Sequence, residues 1–143
     1  MSLSQQILRA HQWIYQKTDG ILGHRLLFGN PTLLLRSTGR RSGLPRTNAL
    51  IYARDGDAYL VVASNGGSSK APGWLANVKA KPDCEIQIGR RRRSVTARPI
   101  LPGEPGYARG LAIADEVNNG RYTVYQSNTD RPIPIVELRP TAA

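Results

Sequence analysis

TNALIYARDGDAYLVVAS, residues 47–64, is the stretch on which the fold turns. Thr47 to Arg54 and Ala58 to Ser64 read as strands, and Asp55-Gly56 between them signals a tight hairpin, because both residues tolerate the positive φ such turns demand. Working outward, Thr32-Leu33-Leu34-Leu35-Arg36-Ser37-Thr38 reads as a buried strand. It feeds the turn Gly39-Arg40-Arg41-Ser42-Gly43-Leu44-Pro45-Arg46, with two glycines and a proline. Downstream, Asn65-Gly66-Gly67-Ser68-Ser69 is a loop, followed by a short helix from about Pro72 to Ala80 with its proline early, where a missing N–H costs nothing. A second hairpin is expected from Cys84–Ile88 to Val95–Ile100 through Gly89 and Arg90 to Arg93, which would make those arginines a solvated tip. A helical stretch from about Gly106 to Val117 is broken by Asn118-Asn119-Gly120, and a last strand lies near Ile133–Leu138. Upstream, Ile7, Leu8, Ala10, Trp13 and Ile14 give residues 4–17 helical spacing, and a connector runs from Gly20 to Pro31. Five or six strands, mostly hairpin-connected, with short inserted helices predict an α+β domain whose sheet is closed or partly closed.

The chain has 143 residues, 40% hydrophobic and 21% charged, enough to bury a core without staples. Cys84 is the only cysteine and reads as strand packing in a reducing compartment. His11 and His24 stand 13 residues apart with no carboxylate or thiol cluster beside them, so no metal site is expected. The N-terminus lacks the pattern of a signal peptide and no apolar run spans a bilayer, which points to a cytoplasmic protein. Charge is the unusual quantity: 20 Lys and Arg against 10 Asp and Glu give +10, and 16 of the cations are Arg. Guanidinium forks suit phosphate and carboxylate, so an anionic partner is implied.

Three groups of residues could carry chemistry. In Gly39-Arg40-Arg41-Ser42-Gly43-x-x-Arg46, glycine lets the backbone turn tightly while three guanidiniums and a hydroxyl offer donors to an anion. A solvated hairpin tip is the plain alternative. Ser64-Asn65-Gly66-Gly67 leaves a strand and precedes a helix N-terminus, as anion sites do, but lacks the spacing of a nucleotide-binding loop. An ordinary connecting loop, with Trp74 in the core, is its alternative. Tyr122 and Tyr125, three apart, share one helical face, where they could stack on a ring, donate a proton or simply pack at the core edge.

Taken together, the segments 38–48, 62–67, 74–82 and 125–135 resemble the F420-dependent nitroreductase and quinone-reductase family of actinobacteria. The matching blocks are TGRRSGLPRTN, VASNGG, WLANVKAKP and YQSNTDRPIPI. The resemblance implies a split β-barrel of the flavin-reductase type, mostly antiparallel, over residues 32–143, preceded by an N-terminal helix and connector over 1–31. It implies coenzyme F420, a deazaflavin, as hydride donor, and a small electrophilic acceptor such as a quinone, enone, lactone or nitro compound. The coenzyme's phosphate and oligoglutamate tail would meet Arg40, Arg41, Ser42 and Arg46. Its ring system would lie along Thr47, Asn48, Ala49, Leu50 and Ile51, along Val62, Ala63, Ser64 and Asn65, and along Gly73, Trp74, Leu75, Ala76 and Asn77. Tyr122 and Tyr125 match catalytic positions at the substrate pocket, and either of them or water would supply the proton. Two positions depart from the pattern: Asn65 stands where relatives often carry a base, and Asn119 where some carry a third aromatic, implying a more open, polar pocket.

Other readings are an enzyme that binds flavin mononucleotide on the same barrel, and a basic nucleic-acid module suggested by Arg90-Arg91-Arg92-Arg93. Against the second, aromatics are only 6%, no nucleic-acid motif is present, and Tyr52, Tyr59 and Trp74 are expected in packed elements away from the arginines. No nucleic-acid partner is therefore expected, and the chain would be a monomer or homodimer. The helix at 4–17 would be a lid over the barrel or a weak peripheral membrane contact through Trp13 and Tyr15, though only Arg9 and Lys17 lie on its polar face.

Overall fold

β1 (Thr32–Thr38) and β2 (Pro45–Ile51) form an antiparallel pair running from Thr32 opposite Ile51 to Thr38 opposite Pro45. This is a computed structural model, and it describes residues 30–141. The expected helix over 4–17, its lid or membrane role, and both histidines lie outside those residues. After β2 come β3 (Ala53–Asp55), β4 (Ala58–Val62), α1 (Gly73–Ala80), β5 (Asp83–Ile88) and β6 (Arg91–Ile100). α2 (Tyr107–Val117), α3 (Arg121–Ser127) and β7 (Ile135–Pro140) complete the order. The strands make one seven-stranded sheet, β2-β1-β5-β6-β7-β4-β3, with every ladder antiparallel. The fold is α+β, a curled sheet of the split-barrel kind.

Closure happens at Tyr52. Its N–H still bonds to the Pro31 carbonyl at 3.1 Å, on the β1 side, while the next residue, Ala53, already pairs with Leu60 of β4. The expected single strand from Thr47 to Arg54 is therefore two strands meeting at a corner, where the chain changes partner. This also raises the strand count from the expected five or six to seven.

Strand alternation then sorts the side chains. Leu33, Leu35, Tyr59, Val61, Ile86, Val95, Ala97, Val136 and Leu138 point into the barrel, and α1 closes one end with Trp74, Leu75 and Val78. Opposite-parity residues Val62, Ile100 and Ile135 face outward, where Ala114 of α2 and Tyr122 of α3 cover them. Gly110 allows α2 this close approach, since a Cβ there would run into the Ile135 side chain. Cys84 is half-buried in β5 against the barrel core, and burial pushes its thiol up to about 11.

Two further expectations are corrected. Arg91 to Arg93 are not a hairpin tip but strand residues of β6, opposite Ile88, Gln87 and Ile86; only Gly89 and Arg90 turn. Tyr52 and Tyr59 do lie among arginines: the Arg54 guanidinium stands 4.2 Å over the Tyr59 ring, and Arg93 donates to the Tyr59 hydroxyl at 3.0 Å. Among the described residues no helix is long and apolar enough to cross a membrane, and no cluster of three His, Cys, Asp or Glu could hold a metal.

Candidate functional site

The Gly39–Leu44 turn is built tightly. Gly39 N–H bonds to the Leu44 carbonyl and Gly43 N–H to the Gly39 carbonyl, both at 2.8 Å, and the Ser42 hydroxyl accepts from Leu44 N–H at 3.1 Å. A Cβ on Gly39 would stand 2.7 Å from Ser42 Oγ and 3.2 Å from the Leu44 carbonyl oxygen, so the packed turn crowds it out, while Gly43 has φ +72°, a path that favours glycine. Asn77 of α1 ties the turn down: its Oδ1 accepts from Arg40 N–H at 3.1 Å. The result is an open groove of about 620 Å³ between the turn, the start of β2 and the start of α1.

Arg40, Arg41, Ser42 and Arg46 line this groove, as do Thr47 and Asn48, and so do Gly73, Trp74 and Asn77 of α1. Gly39, part of the expected anion-binding turn, also lines it, as does Pro45, to which no binding role was given. The remaining expected residues sit elsewhere. Ala49 is buried with Leu34 on the outer face of the sheet, Leu50 packs on the barrel core, and Ile51 is half-buried at the end of β2. Leu75 is core, and Ala76 is half-buried on α1. Val62 belongs to the outer cluster, while Ala63 and Ser64 are buried where β4 leaves the barrel. Asn65 adopts φ 45°, and its amide donates to the Lys70 carbonyl at 3.0 Å.

Tyr122 and Tyr125 come together on α3 with ring centroids 6.2 Å apart, edge to face. Tyr122 is only 7% exposed, and burial, then Tyr125 and Asp115, hold its phenol well above the usual range. Tyr125 is half-buried. α3 lies directly on the Asn65–Gly67 turn, because a Cβ on Gly67 would be 3.0 Å from the Tyr125 carbonyl oxygen. Since Ser64–Gly67 leads straight to Gly73, the tyrosine helix and the groove are joined by one short loop.

That loop is clamped by a residue the sequence did not single out. Arg131 donates to the carbonyls of Ala63 at 3.2 Å and Ser64 at 3.0 Å, and reaches the Ser68 carbonyl at 3.2 and 3.3 Å. Gln126 fixes Arg131 in turn, donating to its carbonyl at 2.8 Å and accepting from Ile133 N–H at 2.8 Å. Burial lowers the Arg131 pKa from its ordinary value.

The profile of the F420H(2)-dependent quinone reductase family matches residues 7–140. The chain belongs to this family. An F420H(2)-dependent quinone reductase of Mycobacterium tuberculosis is 54% identical over 133 residues, 93% of this chain and 89% of the relative. A solved F420-H2 dependent reductase superposes with a TM-score of 0.67 at 34% identity, over 76% of this chain and 94% of the other. A domain-swapped dimer superposes with a TM-score of 0.70 at 30% identity, over 96% of this chain and all of the other. As a member of the family the chain is an oxidoreductase that uses coenzyme F420. The groove fits such a group, because three guanidiniums and a narrow glycine turn face a space open to solvent.

Proposed function

We propose that the groove holds F420 and that the chain passes hydride from its reduced form to a quinone. The observation that carries this reading is the convergence of Arg40, Arg41, Arg46 and the first turn of α1 on one open groove. In this reading the three guanidiniums and the Ser42 hydroxyl take the phosphate and the oligoglutamate carboxylates. Thr47 to Ile51, Val62 to Asn65 and Gly73 to Asn77 form the surroundings of the ring system, those outside the groove lining by supporting its walls. Bound there, the reduced coenzyme would supply a hydride, and the chain supplies position and a proton. A quinone that accepts hydride still needs one proton to become the quinol. Tyr122 keeps its own proton, being buried among Val62, Ile100 and Ile135, and shapes the pocket wall. Tyr125, half-buried against the Ser64–Gly67 loop, borders the acceptor, and Arg131 positions that loop.

Anaerobic oxidation of reduced F420 by a soluble quinone, beside an enone, a lactone and a nitro compound, tests the reading. Quinone turnover is expected, with F420 bound at micromolar or better affinity and flavin mononucleotide bound much more weakly. Failure to reduce the quinone, or equal binding of flavin mononucleotide, overturns it. Tyr125→Phe distinguishes the proton sources: loss of about 10²–10⁴-fold in turnover marks a positioned acid, and a loss below about twofold marks water.

A further inference from the structure

At the other end of the barrel from the groove, Arg54, Arg91 and Arg93 surround a cavity of about 150 Å³ floored by Ile86 and Ile88 and walled by Tyr52 and Tyr59. The two sites open at opposite ends of the barrel, while their linings approach each other across it: Asn48 of the groove and Ile86 of the cavity both pair with Leu35, two strand spacings or about 10 Å apart. The β5–β6 turn likewise lies at the opposite end of β1 from the Gly39–Leu44 turn, since Leu34 pairs with Gln87 and Arg36 with Glu85.

The cavity is a break in an otherwise apolar pattern. In β6, Arg91 and Arg93 share the inward face with Val95 and Ala97, both buried in the barrel core. β6 outruns β7 here: Val95 pairs with Pro140, and Thr141 N–H bonds to the Ser94 carbonyl, so residues 91–93 have a strand partner among the described residues, β5, on one side only. Two of the cations, Arg54 and Arg93, are held in place. Arg93 donates to Tyr59 Oη at 3.0 Å, Arg54 stacks on the same ring at 4.2 Å, and Arg54 also donates to the Gly56 carbonyl at 3.0 Å. Tyr59 Oη accepts from Arg93, which leaves its own O–H to donate. Among the described residues the ion pairs engage Arg36, Arg98, Arg109 and Arg139, and no carboxylate pairs with Arg54, Arg91 or Arg93. Three like charges gathered round one cavity, with no counter-charge among the described residues, favour an anion between them.

We propose that this mouth of the barrel is a second anion site, distinct from the coenzyme groove, for a single phosphate-class oxyanion. The volume corresponds to about five waters at liquid density, room for one tetrahedral group. The aromatic faces argue the same way, since Tyr59 is covered by Arg54 and meets Tyr52 edge-on at 5.7 Å, leaving no stacking platform.

The test uses protein saturated with F420, so that the groove is filled. Inorganic phosphate, and separately glycerol phosphate, is titrated calorimetrically against chloride at constant ionic strength. One saturable equivalent of phosphate is expected; tighter glycerol phosphate identifies an esterified ligand, and tighter inorganic phosphate a free one. Arg91→Gln and Arg93→Gln are each expected to weaken binding about tenfold or more, while Arg92→Gln, facing outward on the same strand, changes it little. Thermal melting of each variant establishes that it is folded. Absence of saturable binding overturns the proposal, as does an equal effect of all three substitutions. Preferential binding of a single-stranded oligonucleotide, with phosphate no better than chloride, also overturns it and makes the mouth a nucleic-acid surface.

Discussion

Arg40, Arg41 and Arg46 differ from Arg92 only in where the backbone puts them, and coenzyme affinity reads that difference. Replacing any one of the three with Ala removes a charge-assisted contact and is expected to weaken F420 binding about ten- to a hundredfold. Arg92→Ala removes an exposed charge on the outward face of β6, three strand spacings from β2 and so more than a Debye length of about 8 Å away, and is expected to change affinity by less than about twofold. Fluorescence titration at low and at physiological salt checks this, and an equal penalty for Arg92→Ala at physiological salt would mean that the tail crosses the second hairpin instead. The anchoring turn was legible because glycines, arginines and a serine at close spacing carry their chemistry in their side chains. Arg131 was not, because its partners are carbonyls of Ala63, Ser64 and Ser68, and any residue could supply those.

α3 has no cap of its own, since it starts after Gly120 at φ 77°. Asp115, from α2, does the capping: it accepts from Tyr122 N–H at 2.9 Å and Thr123 N–H at 3.4 Å, and from the Thr123 hydroxyl. Asp115→Ala is therefore expected to cost about 1–2 kcal/mol, the usual worth of a helix cap. Turnover would fall more than coenzyme affinity, because the cap orients the tyrosines and not the arginine turn; thermal melting with KM and kcat checks both parts. Elements were legible where local chemistry decides them. Asp55-Gly56 marks a hairpin, and the β3–β4 pairing of Asp55 with Ala58 follows it. The corner at Tyr52 was not legible, because a bond to Pro31 on one side and a change of partner on the other are tertiary facts. Arg91 to Arg93 were misread for a related reason: charges argue against a packed strand, but here one face meets solvent and the other a barrel mouth.

Over the whole molecule, four buried or half-buried weak acids set a limit at high pH. Cys84 is pushed up to about 11 from an ordinary 9.0, and Tyr52, Tyr107 and Tyr122 are raised above 10.0, each chiefly by burial. The folded state thus holds protons that the unfolded chain releases first, so their contribution is complete below the unfolded values and lost as pH climbs through the folded ones. Unfolding free energy from urea titrations is expected to decline above about pH 9, and more shallowly in Tyr122→Phe; a rise over that range would contradict it. The sheet order has a kinetic side. β7 joins β6 to β4, so residues 135–140 must find residues 58–62, more than 70 positions earlier, before the barrel can close. Contacts of such separation form late and slowly. Val136→Ala, emptying a fully buried position on β7, is expected to speed unfolding far more than it slows folding, and stopped-flow traces that show the reverse would place β7 in the folding nucleus. Until that strand docks, β4 presents a bare hydrogen-bonding edge of five buried-type residues, the part of the chain most open to pairing with another molecule.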